Sequence, residues 1–555
     1  MARVERIEVH ELVSLPSAKN GALSSDSGPF QIRSEGKGRE EADPQDGSAD
    51  MSNHDPTPQE SQASEPASTG LDGVLENSRE NLISDLHPID GGFQAWNFLA
   101  CAFTIELMVY GTSYSYGSFQ DYHLSNPASP LHQRSASATT ISLIGTMVIG
   151  GVHFVPLLTR GLLVSYPHLV RKLGFASLIC SSLSLLISSF LVDARLLILF
   201  QGLLFGLTSG TAFTPVALWL PQWFDRRRGL ATGVIFAGSG IGGVIFPLVL
   251  NVLLNRLGFA NTLRIWSALN LLLVGMALYR MTPRLKPLPP PTGGASDGGR
   301  RLRRRGFKGF LKDISPGSIR GMFLPIAIVN SLILFTQASG WYTISLYLSS
   351  YATSLGLSKW TSTGVLSSFN ASAILGYMMI GNLIDRFDYT RLMLVSGLVC
   401  SLSSLVILGL ANSLVMVLIF TLIFGAGGGG FACFLTPVSR DVAYLENQES
   451  SISFFYYVFV RGVAALSGPP IASSLYRSNA VTTSRPSSSE YGARGFRGLV
   501  LYVGLMMFAT FLLALVAYKV RRWSYSQFDR ERNAPAPATT PQPTDSRARD
   551  GAPRR

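Results

Sequence analysis

The sequence predicts an all-α membrane protein, twelve transmembrane helices in two six-helix halves, with disordered N- and C-terminal tails. Three observations predict it. The 555-residue chain is 47% hydrophobic and 14% charged, where soluble domains run nearer a quarter charged. Its charge is segregated: residues 1–90 hold 18 of the 34 acidic and 7 of the 46 basic residues, a net of −11, so the remaining 465 residues carry +23. Between residues 93 and 519 lie twelve apolar stretches, each of the ~20 residues that span a bilayer's hydrocarbon core. An apolar body whose charge is predominantly basic, 39 basic against 16 acidic residues, excludes most soluble classes, and makes nucleic-acid binding a poor reading of the pI near 9.6.

Residues 1–92, rich in Ser, Gly, Pro, Asp and Glu without a sustained apolar period, read as a disordered acidic tail. They contain no apolar run of the kind a cleaved signal peptide needs, so the first membrane helix is expected to direct insertion. The first half, 93–282, carries spans at 93–118, 138–158, 173–192, 196–220, 229–251 and 264–282. A basic linker follows at 283–320, with Pro287–Pro291 and the cluster Arg300, Arg301, Arg303, Arg304, Arg305, Lys308 and Lys312. The second half, 321–519, carries spans at 321–350, 361–383, 391–411, 413–437, 452–476 and 499–519, and residues 520–555 read as a second disordered tail. Pro156, Pro215, Pro247 and Pro437 interrupt spans, which a membrane tolerates where neighbouring helices satisfy the freed backbone groups.

Lys and Arg set the orientation. With both termini cytoplasmic, the inside loops hold Arg226, Arg227, Arg228, Arg386, Arg391 and the linker cluster, while the outside loops hold chiefly Arg477, Arg485, Arg494 and Arg497. The plasma membrane is the expected location, with the vacuole or another internal membrane as the alternative. The linker arginines are placed to meet anionic lipid heads of the bilayer. Six helices, a linker and six more is the layout of a transporter with its solute path between two similar halves.

Several motifs carry a resemblance. Asp90-Gly91-Gly92-Phe93-Gln94-Ala95-Trp96 leads into the first span and Tyr116-Gly117-Ser118-Phe119-Gln120-Asp121-Tyr122 leaves it. Gln222-Trp223-Phe224-Asp225-Arg226-Arg227-Arg228-Gly229 opens the fifth, Gly381-Asn382-Leu383-Ile384-Asp385-Arg386 with Arg391 follows the eighth, and Gly468-Pro469-Pro470-Ile471 ends the eleventh. In this order they resemble the major facilitator superfamily, and more narrowly its monocarboxylate-porter-like branch as found in filamentous fungi, over roughly residues 90–520. The resemblance implies the major facilitator fold and secondary transport of a small organic solute by alternating access. That solute would be carboxylate-like, and so anionic when ionised, or a secondary metabolite. Proton linkage is implied, with uptake and efflux unseparated, a monomer favoured and no nucleic-acid partner. A non-transporting receptor or sensor on the same fold, signalling through the acidic tail, is the alternative.

The chain departs from that branch in places. The loop after the second span reads Gly161-Leu-Leu-Val-Ser-Tyr-Pro-His168-Leu169-Val170-Arg171-Lys172 and lacks the acidic residue of the pattern. The eighth span reads Asn370-Ala-Ser-Ala-Ile-Leu-Gly-Tyr377 where animal members carry an Asp and an Arg, and the first lacks their Lys. Lactate-type proton symport is therefore not expected. The fifth span lacks a clean Gly-Pro-x-x-Gly-Gly, the pattern associated with antiporters.

Two charges stand out because each costs about 2.5–3.5 kcal/mol at a helix centre. Glu106, mid-way along the first span, is the candidate proton carrier. Arg461, mid-way along the eleventh, is the candidate solute anchor, its planar fork of donors suited to a carboxylate. The alternative is a structural ion pair between or around them. Gln337 and Trp341 in the seventh span, Asn330 on its neighbouring face, Asn370 in the eighth and Gln201 in the fourth complete the candidate pathway; amides in membranes equally serve as interhelical hydrogen bonds. His153, beside a Pro-containing helix end, reads as structural. Asp225 with Arg226, Arg227 and Arg228, and Gly381 and Asp385 with Arg386 and Arg391, read as gating loops in which carboxylate and guanidinium pair.

The runs Gly238-Ser-Gly240-Ile-Gly242-Gly243 and Gly425-Ala-Gly427 to Gly430 lie inside apolar spans without a following Lys-Ser/Thr, so they read as close helix contacts rather than phosphate loops. Cys101, Cys180, Cys400 and Cys433 read as small buried hydrophobes. No metal, cofactor or nucleophile constellation is present in the pattern, and enzymatic activity is not expected.

Overall fold

The computed structural model describes residues 87–285, 320–446, 450–476 and 491–533. Most of both terminal tails and the arginine cluster of the linker lie outside the described residues, as do Arg477 and Arg485. Everything described is helix, turn or loop, without a strand. Among the described residues, ten helices are long and apolar enough to cross a membrane. The longest, Arg228–Arg280, is two helices broken at Gly258, whose φ of 76° ends one and starts the next. Pro325–Ser354 is more polar and adds one more.

Twelve long helices result among the described residues. They are α1 (Gly92–Leu124), α2 (Ala138–Ser165), α3 (Val170–Ser188), α4 (Ala194–Trp223), α5 (228–257), α6 (259–280), α7 (Pro325–Ser354), α8 (Lys359–Ile384), α9 (Tyr389–Leu408), α10 (Leu414–Glu446), α11 (Ser450–Ser474) and α12 (Ala493–Asn533). The last corrects an expectation: residues 520–533 are not a tail but the end of α12, which outruns its apolar segment because Arg521 bonds Asp388 and Asp441.

The helix starts show the internal repeat. Ser137 caps α2 by accepting from the Thr140 amide and meeting its hydroxyl at 2.8 Å; Ser358 caps α8 on Thr361 with the same geometry. The outer surface is apolar, with Leu158, Leu272, Leu375 and Val415 all more than half exposed, as a lipid-facing wall requires. Cys180 also faces outward; only Cys101, Cys400 and Cys433 are buried.

The halves meet along two seams, α5 on α8 and α2 on α11. Because successive helices alternate in direction, the α4–α5 and α8–α9 connections lie on one side, here termed the basic face. The α5–α8 seam is backbone on backbone. A Cβ on Gly229 would stand 2.5 Å from the Gly381 carbonyl, and one on Gly233 2.3 Å from the Tyr377 carbonyl, so only hydrogen fits at either position. The glycines of both runs likewise face backbone or side chains of neighbouring helices.

Candidate functional site

Glu106 ends the first α-helical stretch of α1 and is followed by a π-helical turn, Leu107–Gly111. The extra residue in that turn re-aims the side chains that follow, Tyr110 among them. Glu106 is 1% exposed. The Ser239 side chain of α5 lies beside it, while its Oε2 has no hydrogen-bond partner. Arg461 of α11, 6% exposed, donates from Nη1 to Gln337 Oε1 at 2.9 Å. Gln337 in turn donates from Nε2 to the Gly428 carbonyl at 3.0 Å, which fixes its amide with the acceptor toward the arginine. The two buried charges do not pair: among the described residues no ion pair joins Glu106 to Arg461.

Aromatic rings surround them. The Arg461 guanidinium lies 6.0 Å from the centre of the Tyr342 ring, a cation–π distance. The Tyr342 hydroxyl sits 3.1 Å from His153 Nε2 and 3.5 Å from the Tyr114 hydroxyl. His153 Nδ1 meets the Ile149 carbonyl at 2.9 Å, so Nδ1 carries a hydrogen, and in the neutral ring Nε2 accepts from the Tyr342 hydroxyl. Tyr110 contacts His153 and Phe213 edge to face, at 5.3 and 5.2 Å. Tyr110 and Tyr377 each lie within electrostatic reach of both Glu106 and Arg461. The structure thus gathers residues of α1, α2, α5, α7, α8 and α11, from both halves, around two unpaired charges.

Other sequence candidates fall elsewhere. Gln201 is enclosed in the first half, its Oε1 unpartnered against a cavity of about 20 Å³ lined by Thr112, Tyr116, Leu185 and Trp266, room for one water. Trp341 packs within the second half on Phe369 and Phe424, at 4.6 and 6.3 Å. Asn370 donates across the seam to the Gly243 carbonyl at 3.2 Å and joins the halves. Asn330 is fully buried without a hydrogen-bond partner, near Tyr457.

The gating loops are built differently from the expected pairing. Asp385 accepts from the Gly229 and Leu230 amides at 2.7 and 2.8 Å. It therefore caps α5 across the seam, where the helix N-terminus favours a carboxylate, while Arg386 is exposed and Arg391 lies over Tyr518. Burial pushes the Asp385 carboxyl above its ordinary range, against those two amides, which lower it. Asp225 does pair, with Arg228 at 3.8 Å and with Arg440 of the second half at 3.4 Å; Arg226 and Arg227 are exposed.

Sequence reasoning missed three groups here. Asp90 accepts from the amides of Asp225, Arg226 and Arg227 at 2.9–3.0 Å, tying the entrance motif of α1 to the loop before α5. Arg160 of α2 is buried and donates to Ser451 of α11 at 2.9 Å, on the seam whose loop lacks the acidic residue. His153, set aside in the sequence, bridges the halves through Tyr342. Arg160 was legible as a charge inside an apolar helix; the other two needed the fold.

The Major Facilitator Superfamily model matches residues 98–469 and, a second time, 331–547. The chain belongs to this superfamily. It is an integral multi-pass membrane protein and a secondary transporter of small organic solutes. Similar curated proteins are fungal. The MFS-type transporter pytF of Aspergillus terreus is 29% identical over 57% of this chain and 96% of its own length. The MFS-type transporter pynF of Aspergillus niger is 25% identical over 79% and 93%. The aspyridones efflux protein apdF of Emericella nidulans is 26% identical over 73% and 78%.

Proposed function

We propose that this chain exports an acidic organic solute, in the manner of a secondary-metabolite carrier, by proton-linked transport. Arg461 is the anchor and Glu106 the proton carrier. One observation carries the reading: two opposite charges are buried between the halves and left unpaired. Their cost in the membrane is several kcal/mol, which a structural role would offset by pairing them. Arg461 makes a single hydrogen bond among the described residues, leaving donors for a carboxylate or carbonyl oxygen. Glu106 beside an incoming anion repels it unless protonated, so solute and proton occupancy are linked. The name of the aspyridones efflux relative supports a metabolite as cargo and export as direction, and the branch-level motifs support a carboxylate-like solute. The basic loops support both termini lying in the cytoplasm, and one chain supplies a complete site, as a monomer requires.

The test is untargeted comparison of metabolites inside and outside cells with and without the gene. Retention of an organic acid in the deletion strain is expected; retention of none, with binding intact, favours the receptor reading. In proteoliposomes, Glu106→Gln should abolish the dependence of flux on a pH gradient with the protein still inserted. Flux that keeps its wild-type pH dependence removes Glu106 from the coupling.

A further inference from the structure

Two aromatic clusters inside the second half's reach differ in kind. Around Trp341 the partners are Phe369 and Phe424, rings that fill space, with Trp341 and Phe424 parallel within 6°. Around Arg461 the rings are Tyr110, Tyr114, Tyr342 and His153, contributed by helices of both halves. These rings meet tilted or edge to face, at 50–89°, and none stacks on another. Their hydroxyl and imidazole groups are chained loosely: the Tyr114–Tyr342 contact is 3.5 Å, at the outer limit of a hydrogen bond. Tyr114, although deep in the bundle, remains only half-buried. A carboxylate oxygen with no partner, Glu106 Oε2, belongs to the same cluster.

A purely aliphatic acid would need the guanidinium and an apolar wall of any kind. Tyrosines crossing one another around a cation provide more. Their faces give a flat ring dispersion and quadrupole contacts, and their hydroxyls bind ring oxygens, with little side-chain entropy lost on binding. The Tyr342 ring already holds one planar group, the guanidinium, over its face.

We propose that the solute is a flat, conjugated organic acid, its anionic oxygen on Arg461 and its ring against Tyr114 and Tyr342. This assignment rests on the transport reading above and names its cargo class.

The test uses the full chain reconstituted in nanodiscs, with equilibrium binding of three probes: 2-naphthoate, its saturated counterpart decahydro-2-naphthoate, and the neutral 2-naphthalenemethanol. Naphthoate should bind about tenfold tighter than either of the others, the scale of one or two ring contacts or of one ion contact. Tyr342→Phe, which keeps the ring, should retain the preference for naphthoate over its saturated counterpart; Tyr342→Leu with Tyr114→Leu should erase it. Equal binding of naphthoate and decahydronaphthoate by the wild type overturns the flat-ring assignment and leaves the acid-export reading standing. Equal binding of naphthoate and the alcohol, or naphthoate affinity unchanged in Arg461→Lys, overturns the anchor and with it both readings. Failure of all three probes to bind at millimolar concentration overturns the cargo class.

Discussion

The two seams between the halves do the same task with different materials. Along α5 and α8 the contact is main chain on main chain, Gly229 on Gly381 and Gly233 on Tyr377, closed at the basic face by Asp385 on two helix amides. Along α2 and α11 it is side chain on side chain. Gly150 faces the Leu466 side chain at 3.3 Å, Phe154 packs on Phe459 at 4.8 Å, and Arg160 holds Ser451. Backbone contacts are all-or-none, whereas side chains shift rotamer and yield. The first seam is therefore expected to set whether the basic face is closed, and the second to follow.

The largest test of that difference is one methyl group. Gly233→Ala would drive its Cβ into the Tyr377 carbonyl, and overpacking of this kind costs roughly 1–3 kcal/mol. That is a shift of about five- to 150-fold away from the closed basic face. Gly150→Ala meets only a leucine side chain and should leave transport near wild type. The reporter is Thr436→Cys, in a Cys180→Ser background, because Thr436 is buried against Thr232 of α5 at 2.9 Å. Labelling from the basic face should rise in Gly233→Ala and not in Gly150→Ala. Equal labelling would mean that the seams do not differ.

A smaller effect separates the two polar closures. Asp385→Asn keeps one acceptor but turns an amide donor toward the other α5 amide, so one of the two hydrogen bonds is lost, about 1 kcal/mol, or roughly fivefold in labelling of the same reporter. Arg160→Gln retains a donor to Ser451 and should change labelling less. If Arg160→Gln opens the basic face more than Asp385→Asn, the α2–α11 seam is the controlling one.

How much of this was legible in the sequence follows from the physics of each feature. The helix number and the basic side could be read from hydrophobic length and Arg placement, because the bilayer imposes both on any sequence. Glu106, Arg461 and Gln337 stood out as polar groups in apolar runs, and the fold brings all three to one place. Gln201 and Trp341 carried the same signal yet point into the interior of one half; a helix face cannot be assigned to the seam or to its own half without the partners. Asp385 looked like a loop charge awaiting arginines, and Asp90 like the first residue of an entrance motif. Their partners are backbone amides of α5, and amides carry no residue identity for a sequence to display. The end of α12 was hidden for a similar reason: it is held by Arg521, not by an apolar period.

The smallest expected effect concerns two aspartates three residues apart, one serving the seam and one serving the second half alone. For Asp388, burial works to raise the carboxyl, but the Thr390 hydroxyl and amide and the Arg521 guanidinium outweigh it, leaving the group below its ordinary range. A carboxyl lower in the folded state contributes stability above the unfolded value, about 3.9, and that contribution fades as pH falls from about 5 through the folded value. Asp385 is shifted the other way by burial, so its ionised form weighs against the fold at neutral pH, and acidification relieves that weight. Asp388→Asn should therefore lower the melting temperature in detergent at pH 7, and the deficit should shrink toward pH 4. For Asp385→Asn, any difference from wild type should move in the opposite direction over the same range, the wild type gaining on the variant as it takes up the proton. Parallel pH profiles for the two variants would show that Asp385 is held in the same way as Asp388, by partners that favour its charge. The α5 amides would then bind the α8–α9 loop as firmly as Arg521 does, and the closed seam would be a fixed joint rather than a latch.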